Sequence, residues 1–170
     1  LGAMLRADGG DVRVGGNIGE ALVGLVQGST AQTRFAVEVS SFQLETIVHF
    51  RADVAVLLNL TPDHLDRHPS FEDYAAAKLR IFENQGSGDV ALLGNTPEVM
   101  ERAGAVRARQ VILEFDAQRG DPLHPNAAYF RSGQAQLRFE GAEETLFPTS
   151  AVKLPGAHLL GDLLAAASAA

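Results

Sequence analysis

The residues best suited to chemistry are an acid, a histidine and a lysine that lie far apart in the chain. The acid is Glu38, which ends an apolar run (35–37) of the kind that forms a strand buried on both faces. Open α/β sheets bind ligands at the carboxyl ends of their strands, so Glu38 is a candidate metal ligand. The sequence leaves open the alternative of a solvated carboxylate that the following helix N-terminus stabilises.

The histidine is His64, which stands between Asp63 and Asp66 in a polar segment after a second apolar run (52–58). Imidazole and carboxylates close together suit a metal or phosphate site. A hydrogen bond to one of the neighbouring carboxylates would also explain this histidine. The presence of Glu38 at another strand end favours the functional interpretation.

Asn17 is a third polar residue after an expected strand, within a glycine-rich turn (15–19) that follows a short run at 12–14. Glycines there would let backbone amides approach an anion, or would simply allow a strand-to-helix turn. Because neighbouring parallel strands end at the same edge of a sheet, we expect Asn17, Glu38 and His64 to lie on one rim.

Lys78 occupies the apolar face of an expected helix that begins near Ser70. Its stripe is shared, at helical spacing, by Phe71, Tyr74, Ile81 and Phe82. The amine could reach water while its methylene stem is buried. Alternatively, partial burial could leave a neutral amine that adds carbon dioxide and becomes a carbamate, whose two oxygens magnesium could accept.

The elements that must position these residues alternate along the chain. We expect strands at 12–14, 35–38, 52–58, 90–93 and 111–115, with helices at 20–26, 70–84 and 97–103 and a last helix from His158. This alternation predicts an α/β fold, a mainly parallel sheet with helices on both faces. A small antiparallel hairpin, 129–131 with 136–139, is expected at the edge of the sheet or in a small annex.

Two serine patterns predict where helices begin. Ser40 with Gln43, and Ser70 with Asp73, have the three-residue spacing of a helix N-cap and its reciprocal partner. The first pattern predicts that the chain turns sharply just past Glu38.

Size and composition limit the function classes. A chain of 170 residues, 46% of them hydrophobic, suits one well-buried domain, and its ends fall in or beside expected helices, as in a domain taken from a longer protein. A net charge of −7 argues against nucleic acid or an anionic membrane as partner. The sequence contains no cysteine, membrane span or leader, so we expect a cytoplasmic protein. Without cysteine, any metal ligand must be an oxygen or imidazole group.

Common phosphate-binding and hydrolase motifs are absent from the sequence. It contains no Gly-x-x-x-x-Gly-Lys-Ser/Thr loop, no Gly-x-Ser-x-Gly elbow and no His-Glu-x-x-His helix. These 170 residues therefore cannot cradle nucleotide phosphates by that loop, and the common hydrolase mechanisms have no support.

Three segments together resemble the central domain of the Mur ligases. They are 38–45 (Glu-Val-Ser-Ser-Phe-Gln-Leu-Glu), 59–68 (Asn-Leu-Thr-Pro-Asp-His-Leu-Asp-Arg-His) and 76–82 (Ala-Ala-Lys-Leu-Arg-Ile-Phe), and 15–19 is similar to a loop upstream of them in that family. The resemblance implies that residues 1–170 are the ATP-binding middle domain, with a fold like that of P-loop NTPases, of a three-domain ligase. The phosphate-binding loop and the N- and C-terminal domains would lie outside the chain.

The Ser-Ser-Phe-Gln-Leu-Glu form is most similar to that of the family member that uses D-glutamate. The resemblance implies ATP-dependent amide bond formation in peptidoglycan biosynthesis, in which D-glutamate is added to UDP-N-acetylmuramoyl-L-alanine through an acyl phosphate, with ATP and Mg²⁺ as cofactors. The chain alone is expected to be inactive. Alternatives are a sibling ligase with another acceptor, or a non-catalytic α/β interaction module.

The same resemblance implies roles for individual residues. Glu38 and His64 would help to hold the second magnesium, and Lys78 would be the carbamylated lysine at that metal, so that Lys78 and His64 are the expected catalytic residues. Asn17, Ser40 and His64 would lie against the muramoyl substrate and its phosphates.

The segment that would bind the nucleotide departs from the family pattern. Gly-x-His-Asn-x-x-Asn appears at 156–162 with His158 kept, while Leu159 and Asp162 replace the two asparagines. His158 and Asp162 would lie on the adenine side. The Asp162 carboxylate could accept from the exocyclic amine of adenine but could donate to a ring nitrogen only when protonated.

Overall fold

The computed structural model describes residues 1–62, 67–116, 120–153 and 157–170, apart from the side chains of residues 157 and 158. His64 lies outside these ranges. The described strands are β1 Val12–Gly16, β2 Arg34–Glu38, β3 Val54–Leu57, β4 Val90–Gly94, β5 Arg109–Leu113, β6 Ala127–Arg131, β7 Gln134–Phe139 and β8 Ala142–Pro148. The described α-helices are α1 Gly2–Ala7, α2 Leu22–Leu25, α3 Ser41–Leu44, α4 Phe71–Leu79, α5 Pro97–Met100 and α6 Ala157–Ser168.

These strands form two sheets. β1 and β2 pair in parallel, with Gly16 opposite Glu38. The other sheet has the order β3-β4-β5-β6-β7-β8, parallel from β3 to β6 and antiparallel from β6 to β8. The mainly parallel α/β fold is confirmed. Among the described strands, β3 pairs with β4 and not with β1 or β2, and the expectation that His64 shares a rim with Asn17 and Glu38 stays a prediction.

The predicted antiparallel hairpin is confirmed, and it belongs to the edge of the large sheet because β6 also pairs with β5. The third antiparallel strand, β8, was not predicted, since charged Glu143 and Glu144 obscure its apolar pattern. Two-residue turns with positive φ join the three strands: 51° and 73° at Ser132 and Gly133, then 50° and 83° at Glu140 and Gly141. Such turns match the twist of antiparallel strands.

The large sheet is covered on both faces, as predicted. One face packs with α4 and α5 in a cluster of Ala55, Leu57, Leu60, Tyr74, Ala75, Phe82, Ala91, Leu93, Val99, Ala103, Val106, Ala108 and Ile112. The other packs with α6 in a cluster of Leu92, Val111, Leu113, Ala128, Phe130, Ala135, Leu164 and Ala165. Consecutive β4 residues alternate between the two clusters because side chains alternate along a strand.

The small sheet has far less apolar support. Its buried cluster consists of Leu5 from α1 with Val12 and Ala36. The prediction that β2 is buried on both faces is wrong for the described chain, because only Ala36 of this strand is buried. No described helix is long and apolar enough to cross a membrane.

Candidate functional site

The end of β2 brings two predicted site residues together. Glu38 is the last residue of β2 and is exposed, and its Oε1 accepts a hydrogen bond from the Asn17 side-chain amide at 3.2 Å. The backbone N–H of Asn17 also donates to the Glu38 carbonyl at 2.8 Å. Gly16, which precedes Asn17 and pairs opposite Glu38, has φ of 117°, and a Cβ there would collide with the Glu38 carbonyl oxygen. The glycine-rich turn therefore lets Asn17 fix the position of the carboxylate.

The predicted turn after Glu38 is confirmed. Ser40 caps α3 through a reciprocal pair: its Oγ accepts from the Gln43 N–H at 3.3 Å, and its own N–H donates to Gln43 Oε1 at 3.0 Å. The Ser40 hydroxyl also lies 3.2 Å from Gln43 Oε1, to which it donates. The structure thus shows a capping role for Ser40, and substrate binding by this hydroxyl stays a prediction.

Lys78 lies where the sequence placed it, on α4 beside buried aromatic residues. The helix begins at the predicted N-cap, where Ser70 Oγ accepts from the Asp73 N–H at 3.1 Å. Lys78 is half-buried, and its Nζ lies 5.8 Å from the centroid of the Tyr74 ring. Partial burial beside an aromatic ring agrees with both interpretations of the sequence, a lysine that reaches water along its buried stem and an amine available for carbamylation. Carbamylation of Lys78 stays a prediction.

The helix after Glu38 packs against the helix that carries Lys78. α3 contacts α4, and the Arg80 guanidinium donates to the carbonyls of Glu45 and Ile47, the latter at 2.8 Å. These carbonyls follow the end of α3, so Arg80 of the segment after α4 holds the chain just beyond α3. Arg80 therefore links the end of α4, the helix that carries Lys78, to the segment that follows Glu38 and α3.

Sequence analysis missed His68, which is buried beside these elements. Its Nε2 lies 3.0 Å from Ser41 Oγ, at the start of α3. The available signal was a second histidine, four residues after His64, in the same polar segment.

The histidine of the predicted metal set cannot be placed. His64, with Asp63 and Asp66, lies outside the described residues. Within the described ranges, no three His, Asp or Glu side chains gather in a way that could hold a metal. The predicted set consists of Glu38, His64 and a modified Lys78, so it stays a prediction. An exposed carboxylate such as Glu38 has the chemistry that magnesium prefers.

The two residues expected to contact adenine, His158 and Asp162, belong to α6. Asp162 is exposed on this helix, whereas the side chain of His158 lies outside the description. Gly161 packs against Phe115, and a Cβ on Gly161 would lie 2.9 Å from Phe115 Cδ1. The helix therefore approaches the residues just after β5, and the adenine-binding roles of His158 and Asp162 stay predictions.

Comparison with known proteins defines the class. Residues 22–170 match the family model "Mur ligase middle domain", and the chain belongs to this family. It is 44% identical over 166 residues to the UDP-N-acetylmuramoylalanine--D-glutamate ligase of Geotalea uraniireducens, a match that covers 97% of this chain and 35% of that protein. The corresponding ligase of Acidobacterium capsulatum is 42% identical over 173 aligned positions, covering 99% of this chain and 36% of that protein.

A solved structure shows the same fold. MurF from Acinetobacter baumannii superposes with a TM-score of 0.60 at 14% identity, covering 97% of this chain and 37% of that one. The chain thus spans about 35% of the length of the curated relatives it matches.

Proposed function

We propose that the chain is the ATP-binding middle part of a longer cytoplasmic ligase that joins D-glutamate to UDP-N-acetylmuramoyl-L-alanine in peptidoglycan biosynthesis. The observation that carries this proposal is 44% identity, over nearly the whole chain, to a relative named for that reaction. The parent protein carries the phosphate-binding loop ahead of residue 1 and further domains for the UDP group and D-glutamate.

The proposed reaction activates the substrate carboxylate with ATP. Attack of the carboxylate on the γ-phosphorus gives an acyl phosphate and ADP, and the amine of D-glutamate then displaces phosphate to form the amide. Mg²⁺, when bound, offsets the negative charge of the phosphoryl group and of the tetrahedral state. Glu38, His64 and carbamylated Lys78 are the proposed metal ligands.

Asn17 orients the Glu38 carboxylate through the 3.2 Å hydrogen bond to Oε1. An oriented ligand loses less entropy when it binds, which strengthens metal binding. Asn17, Ser40 and His64 are proposed to contact the muramoyl substrate, and His158 and Asp162 the adenine side of ATP.

The full-length parent tests the activity directly. We expect ATP-dependent phosphate release with UDP-N-acetylmuramoyl-L-alanine to require D-glutamate, and we expect residues 1–170 alone to give none. Turnover no higher with D-glutamate than with other amino acids would reject the acceptor and favour a sibling ligase. Turnover by the chain alone would reject the requirement for the rest of the protein.

Glu38→Gln tests whether the proposed site is functional. Loss of the charge at the end of β2 should raise the Mg²⁺ concentration needed for half-maximal turnover by at least about tenfold. Glu144→Gln is the matched control, because Glu144 is an exposed glutamate on β8 in the other sheet. Equal Mg²⁺ requirements in both variants would contradict a metal role for Glu38.

A non-catalytic interaction module is the second candidate. It is favoured by Leu159 and Asp162, which stand where the family pattern has asparagines. A parent protein that binds no ATP in equilibrium dialysis would support the module, and ATP binding would support the ligase.

A further inference from the structure

His68 is a buried imidazole with polar groups at both ring nitrogens. Its side chain is 3% exposed. Nε2 lies 3.0 Å from the hydroxyl of Ser41, itself 2% exposed, and Nδ1 lies 3.5 Å from Oε1 of Glu45. Both partners belong to α3 or its C-terminal end. Burial of these polar groups is tolerated because they face one another, so the imidazole is tied to α3.

The same ring is held between aromatic residues of two helices. Phe42 of α3 stacks on it with centroids 5.5 Å apart and planes at 14°. Tyr74 of α4 meets it edge-on, with centroids 5.4 Å apart and planes at 71°. Lys78 Nζ lies 5.8 Å from the centroid of that tyrosine ring. His68 therefore connects α3 with the part of α4 beside Lys78.

α3 depends on contacts of this kind. It has only four residues, and a helix so short does not form without support from the rest of the fold. The Ser40 cap holds its start and Arg80 binds the carbonyls after its end. His68 adds a contact between the side of α3 and α4.

We infer that His68 is a positioning residue for the proposed metal site. By holding Ser41 of α3 against Tyr74 of α4, it sets the distance between the Glu38 carboxylate, three residues before Ser41, and the amine of Lys78. This inference rests on the proposed function, since it assumes that Glu38 and Lys78 bind the same divalent cation. His68 acts on the cation through Ser41 and Tyr74.

Two variants separate the hydrogen bond from the ring. His68→Phe keeps an aromatic ring between Phe42 and Tyr74 but removes both ring nitrogens. His68→Gln places an amide near the position of Nε2, so it can still bond to the Ser41 hydroxyl. Ser41→Ala removes the same hydrogen bond from the other side.

The test is Mn²⁺ binding to the full-length parent in bicarbonate buffer, measured from the electron paramagnetic resonance signal of free Mn²⁺. We expect His68→Phe and Ser41→Ala each to weaken Mn²⁺ binding about tenfold, and His68→Gln to restore most of it. The double variant His68→Phe/Ser41→Ala should lose no more than His68→Phe alone, because that variant has already lost the hydrogen bond to Ser41. His49→Phe, at an exposed histidine after α3, should bind Mn²⁺ like the unaltered protein.

Thermal unfolding of the same variants separates positioning from folding. Mn²⁺ affinity of His68→Phe within twofold of the unaltered protein would overturn the inference. The inference would also be overturned if His68→Gln failed to restore Mn²⁺ binding and the loss of Mn²⁺ affinity followed the loss of melting temperature across the variants. If the His68 dependence of Mn²⁺ binding holds but D-glutamate gives no turnover, the ligase proposal fails and the positioning role stands.

Discussion

At the scale of single residues, the candidate site depends on unusual placements. Glu38 is exposed at a strand end, where it is held by Asn17. Lys78 is half-buried on a helix face whose other members are aromatic or apolar. Glu38 needs no modification to bind a cation, whereas Lys78 can do so only after losing its proton and its positive charge.

Carbamylation of Lys78 can be observed directly. After incubation of the parent with ¹³C-bicarbonate, we expect a carbamate carbon signal in the ¹³C NMR spectrum that disappears in Lys78→Arg. Turnover should fall at least about tenfold in that variant, because arginine keeps the positive charge and cannot supply two oxygens. Lys153→Arg is the matched control, since Lys153 is the other lysine of the chain and is exposed. A signal unchanged in Lys78→Arg would exclude the modification.

Asp89 gives a pH prediction that is independent of the site. Hydrogen bonds from Arg51 and from the Gly86 backbone N–H, in that order, hold the pKa of the Asp89 carboxyl below its ordinary value. A lowered folded-state pKa stabilises the fold above the unfolded value of about 3.9, and this stabilisation is lost as pH falls through the folded pKa. Asp89→Asn should therefore lower stability most at neutral pH.

Urea unfolding between pH 7 and pH 3 measures this effect. The difference in midpoint between the unaltered chain and Asp89→Asn should shrink as pH falls below about 4. Asp53→Asn is the control, because this carboxylate lies 3.9 Å from the same arginine but its side chain is 96% exposed. A screened surface pair contributes little, so its effect should be small at every pH.

At the scale of elements, both helices of the candidate site begin at serine caps. α3 starts after Ser40 and α4 after Ser70, and each serine oxygen accepts from the backbone three residues on. The caps determine where the chain leaves β2 and where α4 begins. They were readable from sequence because capping depends on spacing within a few residues.

Removing either cap should destabilise the chain by about 1 kcal/mol, the usual cost of a lost serine N-cap. Ser40→Ala and Ser70→Ala can be compared by urea unfolding, with Ser150→Ala as the control at an exposed serine in the short 3₁₀ helix Thr149–Ala151. A Ser40→Ala value equal to that of the control would contradict a stabilising role for the Ser40 cap.

At the scale of the whole molecule, the two sheets pack against very different amounts of buried apolar side chain. The large sheet lies between two extensive clusters, while the small sheet rests on Leu5, Val12 and Ala36. Among the described strands, β2 pairs with β1 alone, and β3 pairs with β4 alone. Glu38 thus lies on the less supported of the two sheets.

Hydrogen exchange should reveal this difference. In the 170-residue chain, backbone amides of β1 and β2 should exchange at least about tenfold faster than those of β4 and β5, because local opening of the small sheet exposes little apolar surface. Mass spectrometry of the matching peptides, corrected with rates from the denatured chain, measures the ratio. Equal protection of both sheets would contradict the prediction.

The sequence by itself determined the alternation of strands and helices, the end of β2 at Glu38, both serine caps and the helical position of Lys78. All of these depend on residues close together in the chain, where periodicity and capping act. Only the tertiary structure decided that the strands divide into two sheets, that β8 joins the edge, and that Ala36 alone is buried in β2. It also decided that His68 lies between α3 and α4. These features depend on contacts between residues far apart, and local patterns carry no information about which distant side chains will meet.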